Sequence, residues 1–310
     1  MKYKGVDGMD LKQFVQLLQT KLPENTVFEN EMMKDYTTFR IGGKADVVVK
    51  PGSYEEVAIA VKLCKENQVP YYILGNGSNL LVADEGYRGV IIQIYNRLDE
   101  VKVEGNRVVA QAGALLSKIA TKAMENSLTG LEFAHGIPGT LGGAVVMNAG
   151  AYNGEMKQVL VSCDVLDEEG NILNLTNEQL ELGYRTSIIQ KKNYIVLGAT
   201  IALEKGNQQE IKAYMKELMT RRKEKQPLEK PSAGSTFKRP VGYFAGKLIM
   251  DSDLRGYKVG GAMISEKHCG FVVNDGDATC KDVEDLIKHV QKVVKEKFQV
   301  DLEAEVKILK

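Results

Sequence analysis

The chain has no net charge, no apolar run long enough to span a bilayer, and no histidines or cysteines spaced to share a metal ion. Its 41 basic and 41 acidic residues cancel, so no global field draws it to nucleic acid or an anionic membrane, and an anionic ligand must be met by local cations. The best apolar run, Tyr194 to Leu203, falls far short of the roughly 20 residues of a spanning helix. Met1 to Gln16 is charged and broken by glycine, without the apolar core of a signal peptide. A soluble, cytoplasmic protein is the expectation. The four cysteines, Cys64, Cys163, Cys269 and Cys280, lie far apart with no C-x-x-C pair, which points to reduced thiols and neither a zinc site nor a disulfide framework. His135, His268 and His289 lack the spacing of a metal pair, so no metal is expected. What these absences leave is a small-molecule site.

At 310 residues the chain is long enough for two or three packed domains. Ser53-Tyr54-Glu55-Glu56 reads as a capping box, and Val57, Ala60, Val61 and Cys64 recur at helical spacing, predicting a helix to about Asn67. Pro70 stops it. Tyr71 to Leu74 and Gly89 to Ile94 read as short buried strands, Arg107 to Gln111 as another, and Leu115 to Met124 as a helix. Asp167-Glu168-Glu169-Gly170-Asn171 separates two alternating stretches between Val159 and Leu175, a hairpin signal. Ile211, Tyr214, Met215 and Leu218 mark an amphipathic helix whose last turns carry Arg221, Arg222, Lys223 and Lys225 before Pro227. A domain boundary is placed near Gly206. Lys281 to Lys297 predicts a helix with Val283, Leu286, Ile287, Val290 and Val294 on one stripe. In the terminal strand Leu302, Ala304, Val306 and Ile308 alternate with Glu303, Glu305 and Lys307.

Two glycine-rich segments stand out from this α and β alternation. A strand running into Gly75-Asn76-Gly77-Ser78-Asn79 supplies backbone N–H groups that no side chain shields, which suits a pyrophosphate. It fails the dinucleotide fingerprint, because Leu80 stands where G-x-G-x-x-G requires its third glycine. Gly242-Tyr243-Phe244-Ala245-Gly246-Lys247 is one residue short of a Walker loop and is followed by Leu248, not Ser or Thr, so a nucleotide triphosphatase is rejected. The second segment, His135-Gly136-Ile137-Pro138-Gly139-Thr140-Leu141-Gly142-Gly143, taken alone could be a set of tight turns. Two such segments in one half favour a phosphorylated cofactor.

Together with Asn148-Ala149-Gly150-Ala151-Tyr152, Tyr184-Arg185 and Ser232-Ala233-Gly234-Ser235-Thr236-Phe237-Lys238, these segments resemble the UDP-N-acetylenolpyruvoylglucosamine reductase family over roughly residues 30 to 308. The resemblance implies an α+β chain. An FAD-binding fold of the vanillyl-alcohol-oxidase type would occupy two subdomains, 1–98 and 99–205, the second including the final strand 301–310. A C-terminal α+β substrate domain would take 206–300. It further implies noncovalent FAD, NADPH as co-substrate, and a step of peptidoglycan precursor synthesis: hydride delivery through flavin N5 to C3 of UDP-N-acetylglucosamine enolpyruvate, then protonation at C2. No histidine precedes position 135, where many oxidases of this superfamily attach FAD covalently. The cofactor residues implied are Gly75, Asn76, Gly77, Ser78 and Asn79, then His135, Gly136, Pro138, Gly139, Thr140, Gly142 and Gly143, and finally Asn148, Ala149 and Gly150.

Hydride addition to an unsaturated carboxylate builds enolate charge that fixed donors must stabilise before a positioned acid quenches it. Ser235 matches the family's acid, Arg185 its catalytic arginine, and Glu305 its third catalytic position. Composition alone would make Arg185 and Glu305 solvated charges and Ser235 a turn hydroxyl; the motif context reverses that. Arg222 and Lys225, three apart at a helix end, match contacts to the UDP diphosphate. Arg239 stands where the family usually has Asn in Phe-Lys-Asn-Pro, as a substrate contact of altered charge. Cys269-Gly270 replaces the usual Ala-Asn, and the chain resembles the shorter subtype without an inserted tyrosine loop. The alternatives are a flavin oxidase of the same superfamily, which would require neither Ser235 nor the Arg222 and Lys225 cluster, and a noncatalytic flavin-binding or nucleotide-sugar-binding protein, which would have no reason to keep Arg185, Ser235 and Glu305 together.

Overall fold

The computed structural model describes residues 10–310; the first nine residues, part of the stretch in which no signal peptide is read, lie outside the described residues. The chain folds into two compact units. One takes the residues up to Glu29, Val47–Asn76 and Gly89–Arg221, and the other takes Asn30–Asp46, Gly77–Arg88 and Arg222–Lys310. The final strand groups with Gly77–Arg88 and 222–310, where Lys307–Leu309 pairs in parallel with Leu80–Val82. Composition along a chain carries no record of such a return.

The first unit contains an antiparallel five-stranded sheet in the order Ile172–Thr176, Leu160–Leu166, Ile195–Ala202, Arg107–Gln111, Val101–Glu104. Its hairpin forms where the sequence predicts it. The Asp167 carboxylate accepts from Asn171 N–H at 2.7 Å, and Asp167 N–H donates to the Asn171 carbonyl at 2.9 Å, closing the turn. Tyr71–Leu74 pairs in parallel with Tyr87–Gln93, in a second sheet completed by Lys44–Val49 and Val27–Met32. Helix Tyr54–Glu66 begins on Ser53, whose hydroxyl accepts from Glu56 N–H at 3.2 Å. The Glu56 carboxylate accepts instead from Gly52 N–H, one residue before the cap, at 2.7 Å. Helices Tyr54–Glu66 and Leu116–Glu125 bury Val57, Ala60, Val61, Ile119 and Ala120 in a core shared with Phe14, Leu18 and the central strands.

In the second unit the three strands Lys258–Val259, Ala262–Ile264 and Val272–Asn274 form an antiparallel sheet, and Ala262 and Ile264 share a core with helix Cys280–Phe298. A capping box starts that helix, with the Thr279 hydroxyl accepting from Asp282 N–H and the Asp282 carboxylate accepting from Thr279 N–H, both at 3.0 Å. Val283, Leu286, Ile287, Val290 and Val294 are buried on the stripe that the spacing predicts. The terminal strand departs from its prediction. Leu302 and Val306 are buried, but Ile308 is 39% exposed while Leu309 is buried. The chain bends at Val306, and the residues beyond it pair with Leu80–Val82, so the alternation slips by one. Among the described residues no helix is long and apolar enough to cross a membrane.

Leu286 is fully buried on this helix, whereas the Lys288 side chain is 71% exposed. Leu286→Ala is expected to cost about 2–5 kcal/mol and Lys288→Ala less than about 0.5 kcal/mol, read from urea unfolding midpoints. Equal midpoints would mean that this stripe is not core.

Candidate active site

In the first unit the two glycine segments meet. Asn76 Nδ2 donates to the Pro138 carbonyl at 2.7 Å, and a Cβ added at Gly75 would stand 2.4 Å from Thr140 Oγ1. Glycine at 75 is thus required by close approach and not by φ. The short helix Leu141–Val146 follows, capped by Thr140. Its leading N–H groups are already used: Leu141 donates to Ala114 O and Gly142 to Ala112 O, both at 2.8 Å, and Gly143 to Thr140 Oγ1 at 3.4 Å. The N–H groups of Gly142 and Gly143 thus meet acceptors within the protein.

The donors lie just before the helix. Among the described residues, no protein acceptor takes the N–H of Gly136, Gly139 or Thr140, and buried His135 Nδ1 has no hydrogen-bond partner. Orphaned polar groups of this kind fit an external anion such as a pyrophosphate. Asn148, buried in αL geometry at φ 42°, turns inward. Its Nδ2 donates to Glu155 Oε2 at 3.1 Å and to the Gly183 carbonyl at 3.2 Å, and its Oδ1 accepts from Lys157 N–H at 2.9 Å. Ala149 N–H donates to Ala144 O at 2.8 Å, and Gly150 opens the hairpin Gly150–Ala151 with Gly154–Glu155. This stretch supports the loop bearing Arg185. Arg185 occupies the second position of a two-residue turn closed by Gly183 and Thr186, which exchange N–H···O bonds of 3.1 and 3.3 Å.

In the second unit, Phe237 bridges Ala304 in antiparallel register, with Glu305 N–H donating to Thr236 O at 2.8 Å and Lys238 N–H to Glu303 O at 2.9 Å. Thr236 is buried. Its N–H donates to Gly270 O, and its Oγ1 accepts from Val272 N–H, both at 2.9 Å. Ser235, the next residue back, is exposed, and Glu305 is half-buried. Asn79 Nδ2 donates to the Glu305 carbonyl at 3.2 Å, and Asn79 O accepts from Lys307 N–H at 3.1 Å. Thr38 Oγ1 donates to Ser232 O at 2.7 Å while Thr38 N–H donates to Gly77 O at 3.1 Å. The loop Gly77–Asn79 is thereby tied to the strands that carry Ser235 and Glu305. The N–H groups of Gly77, Ser78 and Asn79 have no acceptor among the described residues.

Lys238 pairs with Glu303, and the Arg239 guanidinium lies 3.9 Å from the Phe244 ring centroid. Arg222 and Lys225 sit on the last turn of helix Gln208–Lys225, with Gln226 N–H donating to Arg222 O at 2.8 Å and a buried Gln226 Oε1 that no described donor meets. Hydrogen bonds from Lys230 and Lys258 hold the Asp275 carboxyl down to about 2. The four cysteines are buried and apart, and burial pushes Cys64 and Cys280 up to about 12. His289 stacks on Tyr257 at 4.5 Å. Among the described residues no three metal-ligating side chains cluster. Thr38 carries no local signal, because its role arises from the long-range bond to Ser232.

Comparison with known proteins gives these features a class. The description FAD binding domain matches residues 45–176, and UDP-N-acetylenolpyruvoylglucosamine reductase, C-terminal domain, matches residues 226–309. The chain is an FAD-binding oxidoreductase of mixed α and β structure. A UDP-N-acetylenolpyruvoylglucosamine reductase of Clostridium novyi (strain NT) is 57% identical over 292 residues, spanning 94% of this chain and 95% of its own. The enzyme of the same name from Clostridium perfringens (strain SM101 / Type A) is 56% identical over 297 residues, spanning 96% and 97%. The crystal structure of UDP-N-acetylenolpyruvylglucosamine reductase from Thermus caldophilus superposes with a TM-score of 0.79 at 37% identity, covering 90% of this chain and 98% of that one. The chain belongs to the UDP-N-acetylenolpyruvoylglucosamine reductase family. That membership sets aside the oxidase and the noncatalytic binding protein.

His268, in the segment that follows the second unit's central strand, accepts from Gly270 N–H through Nδ1 at 3.1 Å and meets the Phe271 ring edge-on at 5.0 Å. Burial lowers its pKa below the ordinary 6.5. The unfolded chain then binds this proton more readily than the folded one, so the contribution of the neutral ring is complete above pH 6.5 and is lost as pH falls below it. Thermal stability is expected to decline from pH 7 towards pH 5, with a shallower decline in His268→Gln. Parallel declines in the two proteins would remove His268 as the cause.

Proposed function

We propose that this chain reduces UDP-N-acetylglucosamine enolpyruvate to UDP-N-acetylmuramate, with noncovalent FAD and with NADPH as the hydride source, in peptidoglycan precursor synthesis. The observation that carries the reading is the pairing of Thr236–Lys238 with Glu303–Glu305, which makes neighbours of the family-matched Ser235 and Glu305. FAD, when bound, accepts a hydride and passes it on. Gly75 to Asn79 and His135 to Thr140 would hold its phosphates through the N–H groups that have no protein acceptor. The substrate would be taken by the segment assigned as 206–300, with Arg222, Lys225 and Arg239 neutralising the diphosphate; arginine's planar fork suits phosphate oxygens.

Arg185 would grip the substrate carboxylate as hydride arrival at C3 turns it into an enolate, so its interaction strengthens as charge builds. Ser235 Oγ would then give its proton to C2. The exposed position of Ser235 leaves the hydroxyl accessible to substrate, while the buried Thr236 behind it fixes the backbone through two hydrogen bonds of 2.9 Å. Glu305, whose backbone N–H and carbonyl are both engaged, would orient the donor or return its proton.

Ser235→Ala is expected to lower turnover of the enolpyruvyl sugar by about 10² to 10⁴, with anaerobic flavin reduction by NADPH at the wild-type rate. Turnover within about tenfold of wild type would remove Ser235 as the acid, and slowed flavin reduction would point to a damaged cofactor site.

A further inference from the structure

The turn that presents Arg185 is strained and held. Arg185 has φ 55°, the left-handed region that L residues avoid and that glycine or asparagine usually fills at the second position of such a turn. Side chains from elsewhere grip the turn at both ends. Gln190 Nε2 donates to the Arg185 carbonyl at 3.2 Å and to the Val146 carbonyl at 2.8 Å. Asn148 Nδ2 donates to the Gly183 carbonyl at 3.2 Å. Ser187 Oγ, fully buried, also donates to Val146 O at 2.8 Å. The turn is thus fastened to the C-terminal end of helix Leu141–Val146, the helix that the second glycine segment leads into.

A strained backbone persists only where its surroundings over-determine it, and it commonly marks a site whose geometry matters. We propose that Gln190 is a positioning residue for Arg185: its two amide N–H groups join the Arg185 carbonyl to the Val146 carbonyl and so set the direction of the guanidinium, with Asn148 as the second anchor. Gln190 touches no substrate in this account and acts through Arg185. The inference rests on the proposed role of Arg185 towards the substrate carboxylate. Misplacing a charge-stabilising group by about 1 Å can cost on the order of 10² in rate.

Gln190→Met keeps the volume and removes both donors; Gln190→Glu, which turns a carboxylate towards the two carbonyls, is the second variant should the first fail to retain flavin. In the holoenzyme, kcat/KM for UDP-N-acetylglucosamine enolpyruvate is expected to fall about 10- to 100-fold, with anaerobic reduction of the flavin by NADPH unchanged. In an Arg185→Ala background the same substitution is expected to have no further effect, because the loss travels through Arg185. Equal losses in both backgrounds, or none in either, would overturn the proposal. Amide hydrogen exchange of the peptide covering 183–187 provides a readout independent of turnover. Faster exchange in Gln190→Met, together with a wild-type enzyme that does not reduce the enolpyruvyl sugar, would overturn the proposed function and leave the clamp standing; unchanged exchange in Gln190→Met would overturn the clamp itself.

Discussion

The antiparallel pairing of Thr236–Lys238 with Glu303–Glu305 is the constraint on which the second unit's chemistry depends. Thr236 is held on one side by Glu305 N–H at 2.8 Å and on the other by Gly270 O and Val272 N–H at 2.9 Å. Each bond alone contributes only about 1 kcal/mol net, but leaving such a buried group unmet costs as much again or more. Thr236 and Phe237 are buried, and Ser235 before them is left exposed. The same pairing brings in the chain's end, and Asn79 fastens the glycine loop to it through the Glu305 carbonyl.

The first unit solves a different problem, that of presenting donors and a cation from irregular backbone. Its glycine segments approach each other closely enough that Gly75 has no room for a Cβ beside Thr140. The N–H groups left without acceptors lie in the loop before helix Leu141–Val146, and those of the helix start are spent within the protein. Anion binding here would come from loop N–H groups, with little part for a helix dipole. Arg185 is offered from a turn whose backbone cost is offset by amide side chains, so cofactor loop and cation share one short helix as their support.

Regular elements were legible from periodicity. The hairpin around Asp167–Asn171, strand Arg107–Gln111 and helix Cys280–Phe298 lie where alternation, turn residues and caps place them. The family was legible because its motifs are long and ordered. Two kinds of feature were not. Ile308 points outward because the terminal strand changes partner beyond Val306, a tertiary event that local alternation cannot register. Thr38 and Gln190 act by hydrogen bonds across long stretches of sequence, and polar residues in such roles look like ordinary surface residues until the fold brings their partners near. The unit boundaries were hidden for the same reason, since the chain passes between units more than once.

The account stands on one sequence of two redox steps at one flavin, and absorbance tests it most directly. The purified protein is predicted to be yellow, to bleach when NADPH is added without oxygen, and to regain its colour on addition of UDP-N-acetylglucosamine enolpyruvate. Recolouring by oxygen but not by the enolpyruvyl sugar would contradict the account, as would a protein that cannot be made to bind FAD.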